Sequence, residues 1–127
     1  MKIFGVGTDI TNISRIKKAL KNKKFLVRLF NSDEINKCNR QKNKANCFAK
    51  RFAAKEAFSK ALGTGISKGM SFNEIVVHNI KSGKPKIKLM SETKKIVNRI
   101  INKRKYNIFL SLSDDKKVAV ATVIISI

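Results

Sequence analysis

Apolar and polar positions alternate along the opening segment KIFGVGTDI, which predicts a strand with Phe4, Val6, Thr8 and Ile10 on one face and Ile3, Gly5, Gly7 and Asp9 on the other. Two glycines on one strand face mark the close approach of a backbone or a ligand, here next to a carboxylate. The period then lengthens. Ile13, Ile16, Ala19 and Leu20 recur at helical spacing while Arg15, Lys17, Lys18 and Lys21 fall outside that stripe. This gives an amphipathic basic helix that breaks near Asn22, ahead of a second short helix around Phe25 to Phe30. NSDEINKC reads as a helix start, with Ser32 as the cap and Asp33 and Glu34 in the first turn, where the helix dipole favours acids. From Phe48 to Leu62 no residue breaks a helix; Gly63 ends it and GTGISKG follows as a loop. NEIVVHNI reads as a strand, GKP as a turn and KIKLM as a short strand, followed by a basic helix from about Ser91 to Lys105. NIFLSLS and VAVATVIISI, joined by DDKK, close the chain as a hairpin.

This order predicts an α+β fold in which a small antiparallel sheet packs with one long buried helix and several shorter ones. The 127 residues, 43% of them hydrophobic, suffice for one core, and no repeat or linker divides them, so residues 1–127 read as a single domain. No apolar run approaches the ~18 residues of a membrane span, and the N-terminus has glycines and an aspartate where a signal peptide would be apolar. The expected location is cytoplasmic. Cys38 and Cys47 lack metal-site or redox spacing and are expected to be two reduced thiols.

A formal net charge of +21, from 29 basic and 8 acidic residues, implies attraction to something anionic: nucleic acid, an acidic protein, anionic lipid or a phosphate-rich ligand. It does not choose among them, because the excess of lysine and asparagine is also what AT-rich coding produces.

The chemistry is sharper around RFAAKEAFSKALGTG. At 100° per residue Ala49, Ala53, Glu56 and Lys60 share one arc of the long helix, with Phe52 beside them. Glu56 has two readings. One is an ordinary i, i+4 ion pair with Lys60, contributing ~0.3–0.5 kcal/mol. The other follows from the apolar residues around nearly the whole circumference, which bury the helix and leave a carboxylate in need of a partner or a cation. Asp9 is either a helix cap, for which Thr11 and Asn12 serve equally, or a second acid for a hard divalent cation such as Mg²⁺. The glycines of LGTGISKG fit neither a Walker loop nor a dinucleotide fingerprint; they read as a C-cap and loop, or as backbone donors that hold a phosphate beside Lys60 and Lys68. His78, alone in its strand, reads as structural.

Taken in order, GVGTDI, ISRI, FAKRFAAKEAFSKALGTGI, GKP and SLSDD…VAVATVII resemble the bacterial holo-acyl-carrier-protein synthases, the small-subunit 4′-phosphopantetheinyl transferases. The resemblance implies transfer from coenzyme A to a serine of apo-acyl carrier protein in fatty acid biosynthesis. It further implies Asp9 and Glu56 as Mg²⁺ ligands, Glu56 as acceptor of the serine proton, and Lys60 as a catalytic, phosphate-contacting lysine. Arg51, Gly63, Thr64 and Gly65 resemble positions that line the coenzyme A site, with Gly83, Lys84 and Pro85 near the adenine. Arg15, Lys18 and Lys21 resemble the surface that docks the acidic carrier protein. The family is homotrimeric, with sites shared between subunits. The chain departs from it twice: Phe52 stands where larger relatives have Trp, and Asp114 where many members have His, and a carboxylate repels phosphate. A basic nucleic-acid-binding domain is the alternative, though most phenylalanines fall in runs that read as core. A membrane-surface protein ranks lower, because the helix at 13–21 lacks a bulky apolar face.

Overall fold

The computed structural model describes residues 1–66, 69–102 and 105–127; Lys68 falls outside them, and the basic helix expected to reach about Lys105 ends instead at Ile101, where Asn102 takes a left-handed conformation at φ 52°. In chain order the elements are β1 (Ile3–Asn12), α1 (Ile13–Ala19), α2 (Lys23–Leu29), α3 (Ser32–Asn39), α4 (Lys44–Leu62), a 3₁₀ turn (Phe72–Glu74), β2 (Ile75–Asn79), β3 (Pro85–Leu89), α5 (Ser91–Ile101), β4 (Asn107–Asp114) and β5 (Val118–Ser126). The class is α+β as expected, with two antiparallel sheets: β1-β5-β4, and the hairpin β2-β3.

The three-stranded sheet is two-faced because its strands alternate. Ala119, Ala121, Val123 and Ile125 of β5 point inward and are buried, and α4 lies against them. The glycines of β1 make this possible. A Cβ at Gly5 would overlap the carbonyl of Ala61, and one at Gly7 the carbonyl of Ala57, so the close approach that the sequence implied is that of the α4 backbone. Gly7→Ala should therefore destabilise the fold by about 1–3 kcal/mol or more, because a main chain must move to admit the methyl. Chemical denaturation checks this, and an unchanged midpoint would contradict the contact.

A bulge between Ile3 and Gly5 corrects the expected faces of β1. It turns Phe4 toward the core and leaves Ile3 exposed, because an extra residue in a strand flips every side chain before it. Further along, Asn12 caps α1 by accepting from the Arg15 amide, which leaves Asp9 free of capping. The cap of α3 is Asn31 rather than Ser32, in a capping box with Glu34. Gly63 ends α4 in the left-handed region, at φ 83°.

Cys38 and Cys47, expected as separate reduced thiols, are instead joined by a disulfide, their Cα atoms 5.4 Å apart. The reversal between α3 and α4 brings them together, a proximity that linear spacing does not reveal.

Apolar packing falls into two clusters. One gathers Ala53 to Leu62 of α4 with β2, α5, β4 and β5; the other gathers α1, α2 and α3 around Phe48 and Ala49. Between them lies a buried ion pair that the sequence reading missed. Lys55 Nζ donates to Glu34 Oε1 at 2.7 Å and to the carbonyls of Phe72 and Ile75, while Glu34 Oε2 accepts from the Val77 amide.

Candidate active site

Strand β1 and helix α4 run past each other so that Asp9, two residues beyond Gly7 on the same inward face, meets the α4 turn bearing Glu56 and Lys60. Lys60 Nζ lies 3.2 Å from Asp9 Oδ1 and donates to the Thr8 carbonyl at 3.0 Å. Thr11 Oγ1 donates to the other Asp9 oxygen at 2.7 Å. Asp9 is thus held from both sides.

Glu56 is not. Its carboxylate has no hydrogen bond or ion pair among the described residues, so the i, i+4 pair with Lys60 is not what forms. Burial pushes its carboxyl above the ordinary range, Asp9 adds to the rise, and Lys60 opposes it. Asp9 and Glu56 line one cleft of about 340 Å³, together with Thr11, Arg15, Phe25 and Phe52. Glu56 is only half-buried. The fully buried charge on α4 is its neighbour Lys55, at 0% exposure.

A second cleft, of about 640 Å³, opens at the other end of α4 between the α3–α4 corner and the β2-β3 turn. It is strongly basic: Lys37, Lys42, Lys50, Arg51 and Lys81 line it, and Gly83 closes one side. A shallower hollow that shares Lys50, Asn79 and Gly83 adds Lys84 and Pro85. Four of the expected coenzyme A residues, Arg51, Gly83, Lys84 and Pro85, are therefore neighbours. Gly63, Thr64 and Gly65 line neither cleft within one copy of the chain. From Arg51 to Gly63 is twelve residues, roughly 18 Å along a helix.

Arg51 is nearly buried. Its Nη1 donates to the Cys47 carbonyl and sulfur and its Nη2 to Asn79 Oδ1, whereas Nε has no partner among the described residues. Asp114 does not face the cleft as a bare charge. It accepts from Asn46 Nδ2 at 2.7 Å and lies 3.6 Å from Lys50 Nζ. Asn46 and Lys50 were missed by the sequence reading; their i, i+4 spacing on the turn preceding Arg51 is the signal that was available. His78 is exposed on β2.

Residues 5–123 match the family model described as the 4′-phosphopantetheinyl transferase superfamily. The chain is 48% identical over 125 residues to the holo-[acyl-carrier-protein] synthase of Pelagibacter ubique, covering 98% of each. Among solved structures it resembles the holo-[acyl-carrier-protein] synthase of Neisseria meningitidis, with a TM-score of 0.86 and 32% identity over 98% of this chain and 99% of that one. It also resembles a holo-(acyl-carrier-protein) synthase of Bacillus anthracis in complex with CoA (3′,5′-ADP), with a TM-score of 0.79 and 37% identity over 99% and 98%. The chain belongs to the holo-acyl-carrier-protein synthases of the 4′-phosphopantetheinyl transferase superfamily.

Proposed function

We infer that this chain moves the 4′-phosphopantetheine group of coenzyme A onto a serine of apo-acyl carrier protein and releases adenosine 3′,5′-bisphosphate. The observation that carries the reading is one cleft with two acids in unequal states: Asp9 is fixed by Lys60 and Thr11, and Glu56 is unpartnered among the described residues. Glu56 accepts the serine proton as the hydroxyl oxygen attacks the phosphorus that bears pantetheine, and the phosphoanhydride bond breaks. Lys60 offsets charge on the phosphate oxygens. Arg51, Gly83, Lys84 and Pro85 hold the nucleotide end in the basic cleft.

Asp9 and Glu56 suit Mg²⁺, which takes one or two carboxylates and completes its shell with phosphate and water. When bound, the cation neutralises charge on the transferred group. Arg15, Lys18 and Lys21 are exposed on and just beyond α1 and dock the acidic carrier protein, where complementary charge speeds encounter.

The active assembly is a homotrimer. The outward face of the three-stranded sheet carries Val6, Thr8 and Ile10 beside Val120, Thr122 and Ile124, with Phe109 on β4. Val6, Ile10 and Phe109 are exposed by 59%, 68% and 44%. This face has no charge in a chain of net +21, as a face shared by copies of one basic chain requires. A neighbouring copy then supplies Gly63, Thr64 and Gly65 to the site. Among the described residues Phe109 is the one exposed phenylalanine, which gives the nucleic-acid alternative little to stack on. No helix among the described residues is long and apolar enough to cross a membrane, and with these substrates the enzyme is assigned to the cytoplasm.

One preparation tests the reading. Mass spectrometry after incubation with apo-carrier protein, coenzyme A and Mg²⁺ should show the carrier protein heavier by one phosphopantetheine, chelator should stop the gain, and the native mass should be that of three chains. Reversing Arg15 and Lys18 to Glu should raise KM for carrier protein and flatten its salt dependence, with KM for coenzyme A unchanged. No mass gain sinks the transfer; equal losses for both substrates sink the docking surface.

A further inference from the structure

The disulfide between Cys38 and Cys47 forms part of the basic cleft wall, and no step of the transfer uses it. Cys47 lines that cleft together with Gln41, Lys42 and Asn43, which lie in the α3–α4 reversal that the bond closes. Besides the bond, the corner is held by the Gln41 amide on the Cys38 carbonyl and by Asn46 on Asp114 and the Asp115 carbonyl, and the start of α4 adds little to them. Asn43, at the cap position of α4, makes no side-chain cap hydrogen bond, and no acid occupies the first turn. Lys44 puts a positive charge where the helix dipole opposes it. Arg51 couples the sulfur to the cleft: Nη1 lies 3.2 Å from Cys47 Sγ, and Nη2 lies 3.3 Å from Asn79 Oδ1, a residue that also lines the cleft. The state of the sulfur, the guanidinium and the cleft wall form one contact network.

We propose that Cys38 and Cys47 are a thiol-modification site that acts as a redox latch on the basic cleft. Bonded, the pair fixes the α3–α4 corner in the geometry that takes the 3′,5′-bisphosphate end of coenzyme A. Reduced by a dithiol, it releases the corner and weakens that binding. The latch rests on the reading of this cleft as the nucleotide site. In the assigned compartment, bonds of this kind are transient and redox-sensing.

The residue at the cleft is the one attacked: Cys47 is buried but 7% exposed and lines the cleft, whereas Cys38 is 0% exposed. A thiolate of the reductant bonds to Cys47 Sγ and the electron pair of the broken bond leaves on Cys38, which takes a proton. The second thiolate then attacks the reductant's own sulfur and frees Cys47 beside Arg51. Two thiols of the reductant become one disulfide, with two electrons and two protons passed to the protein. In the reverse direction the cation beside Cys47 favours its thiolate, which a hydroperoxide converts to a sulfenic acid with release of an alkoxide or hydroxide. The Cys38 thiol then displaces water to restore the bond.

Adenosine 3′,5′-bisphosphate carries no thiol and is the probe. Its affinity is measured by calorimetry on the full-length protein, oxidised and after dithiothreitol, with backbone hydrogen exchange recorded on the same samples. Reduction should raise Kd about five- to tenfold, within the usual range of coupling between sites, and speed exchange across residues 40–47. Re-oxidation should restore both, and Cys38→Ser should match the reduced protein and ignore dithiothreitol. Equal affinity and equal exchange in the two states, with two alkylatable thiols counted after reduction, overturn the latch. So does an air-oxidised protein that still counts two free thiols. Faster exchange on reduction, with no bisphosphate bound in either state, supports the latch and overturns the nucleotide assignment of the cleft.

Discussion

Glu56→Gln should yield a folded protein whose transfer rate is lower by about 10²–10⁴, the usual worth of a positioned general base. The amide keeps the shape of the side chain but cannot take a proton from serine. Stability should not fall with it. Because the fold raises the Glu56 carboxyl above its unfolded value, the folded chain binds that proton more tightly than the unfolded one. Stability then drops as pH rises from the unfolded value through the folded one, and the charged form is a net loss at neutral pH. Removing the charge should leave the melting temperature, measured in chelator, equal or higher. A sample with near-normal turnover, or one that melts well below the parent, would remove Glu56 from the role assigned to it.

Lys55→Met should be the most damaging substitution to the fold. Glu34 is 1% exposed, and without the ammonium its carboxylate keeps two amide donors, Asn31 and Val77, but no cation in contact, Arg51 acting on it only at longer range. Breaking one side of a buried ion pair costs about 3–5 kcal/mol, because the remaining charge is stranded out of water. Burial pushes the Lys55 ammonium down to about 8, against the pull of Glu34. Adding Glu34→Gln should recover part of the loss by removing the stranded charge, with a coupling well outside additivity. Urea midpoints of the parent, both single variants and the double variant measure this. A loss below about 1 kcal/mol in Lys55→Met, or strict additivity, would mean that the pair does not tie α3, α4 and β2 together.

Much of the architecture can be read from residues in order, because each signal is local. The glycine pair marked a close approach beside Asp9, Gly63 marked the end of α4, and DDKK marked the final hairpin. The meeting of Asp9 with the Glu56–Lys60 turn was expected only through a shared cation and the family resemblance, because the glycine face left open whether a backbone or a ligand lies on it.

What was not legible depended on choices that local pattern leaves equal. Helix α4 is apolar on nearly all sides, so spacing does not rank the burial of Lys55 against Glu56. A lysine is also expected to reach for water, yet here it ends among two carbonyls and a carboxylate. The disulfide, the grouping of Arg51 with the β2-β3 turn and the separation of Gly63 from both clefts are long-range facts of packing. Asn31 and Ser32 are both good caps, and only the geometry of Glu34 decides between them.

Where a strand rests on a helix through side chains, every substitution in the seam resets the separation; here the main chains of Gly5 and Gly7 rest on the main chain at Ala57 and Ala61. Main-chain atoms are the same whatever the coding bias. A chain can therefore carry an extreme composition, here 29 basic and 8 acidic residues, without resetting the separation that sets Asp9 against the Glu56 turn.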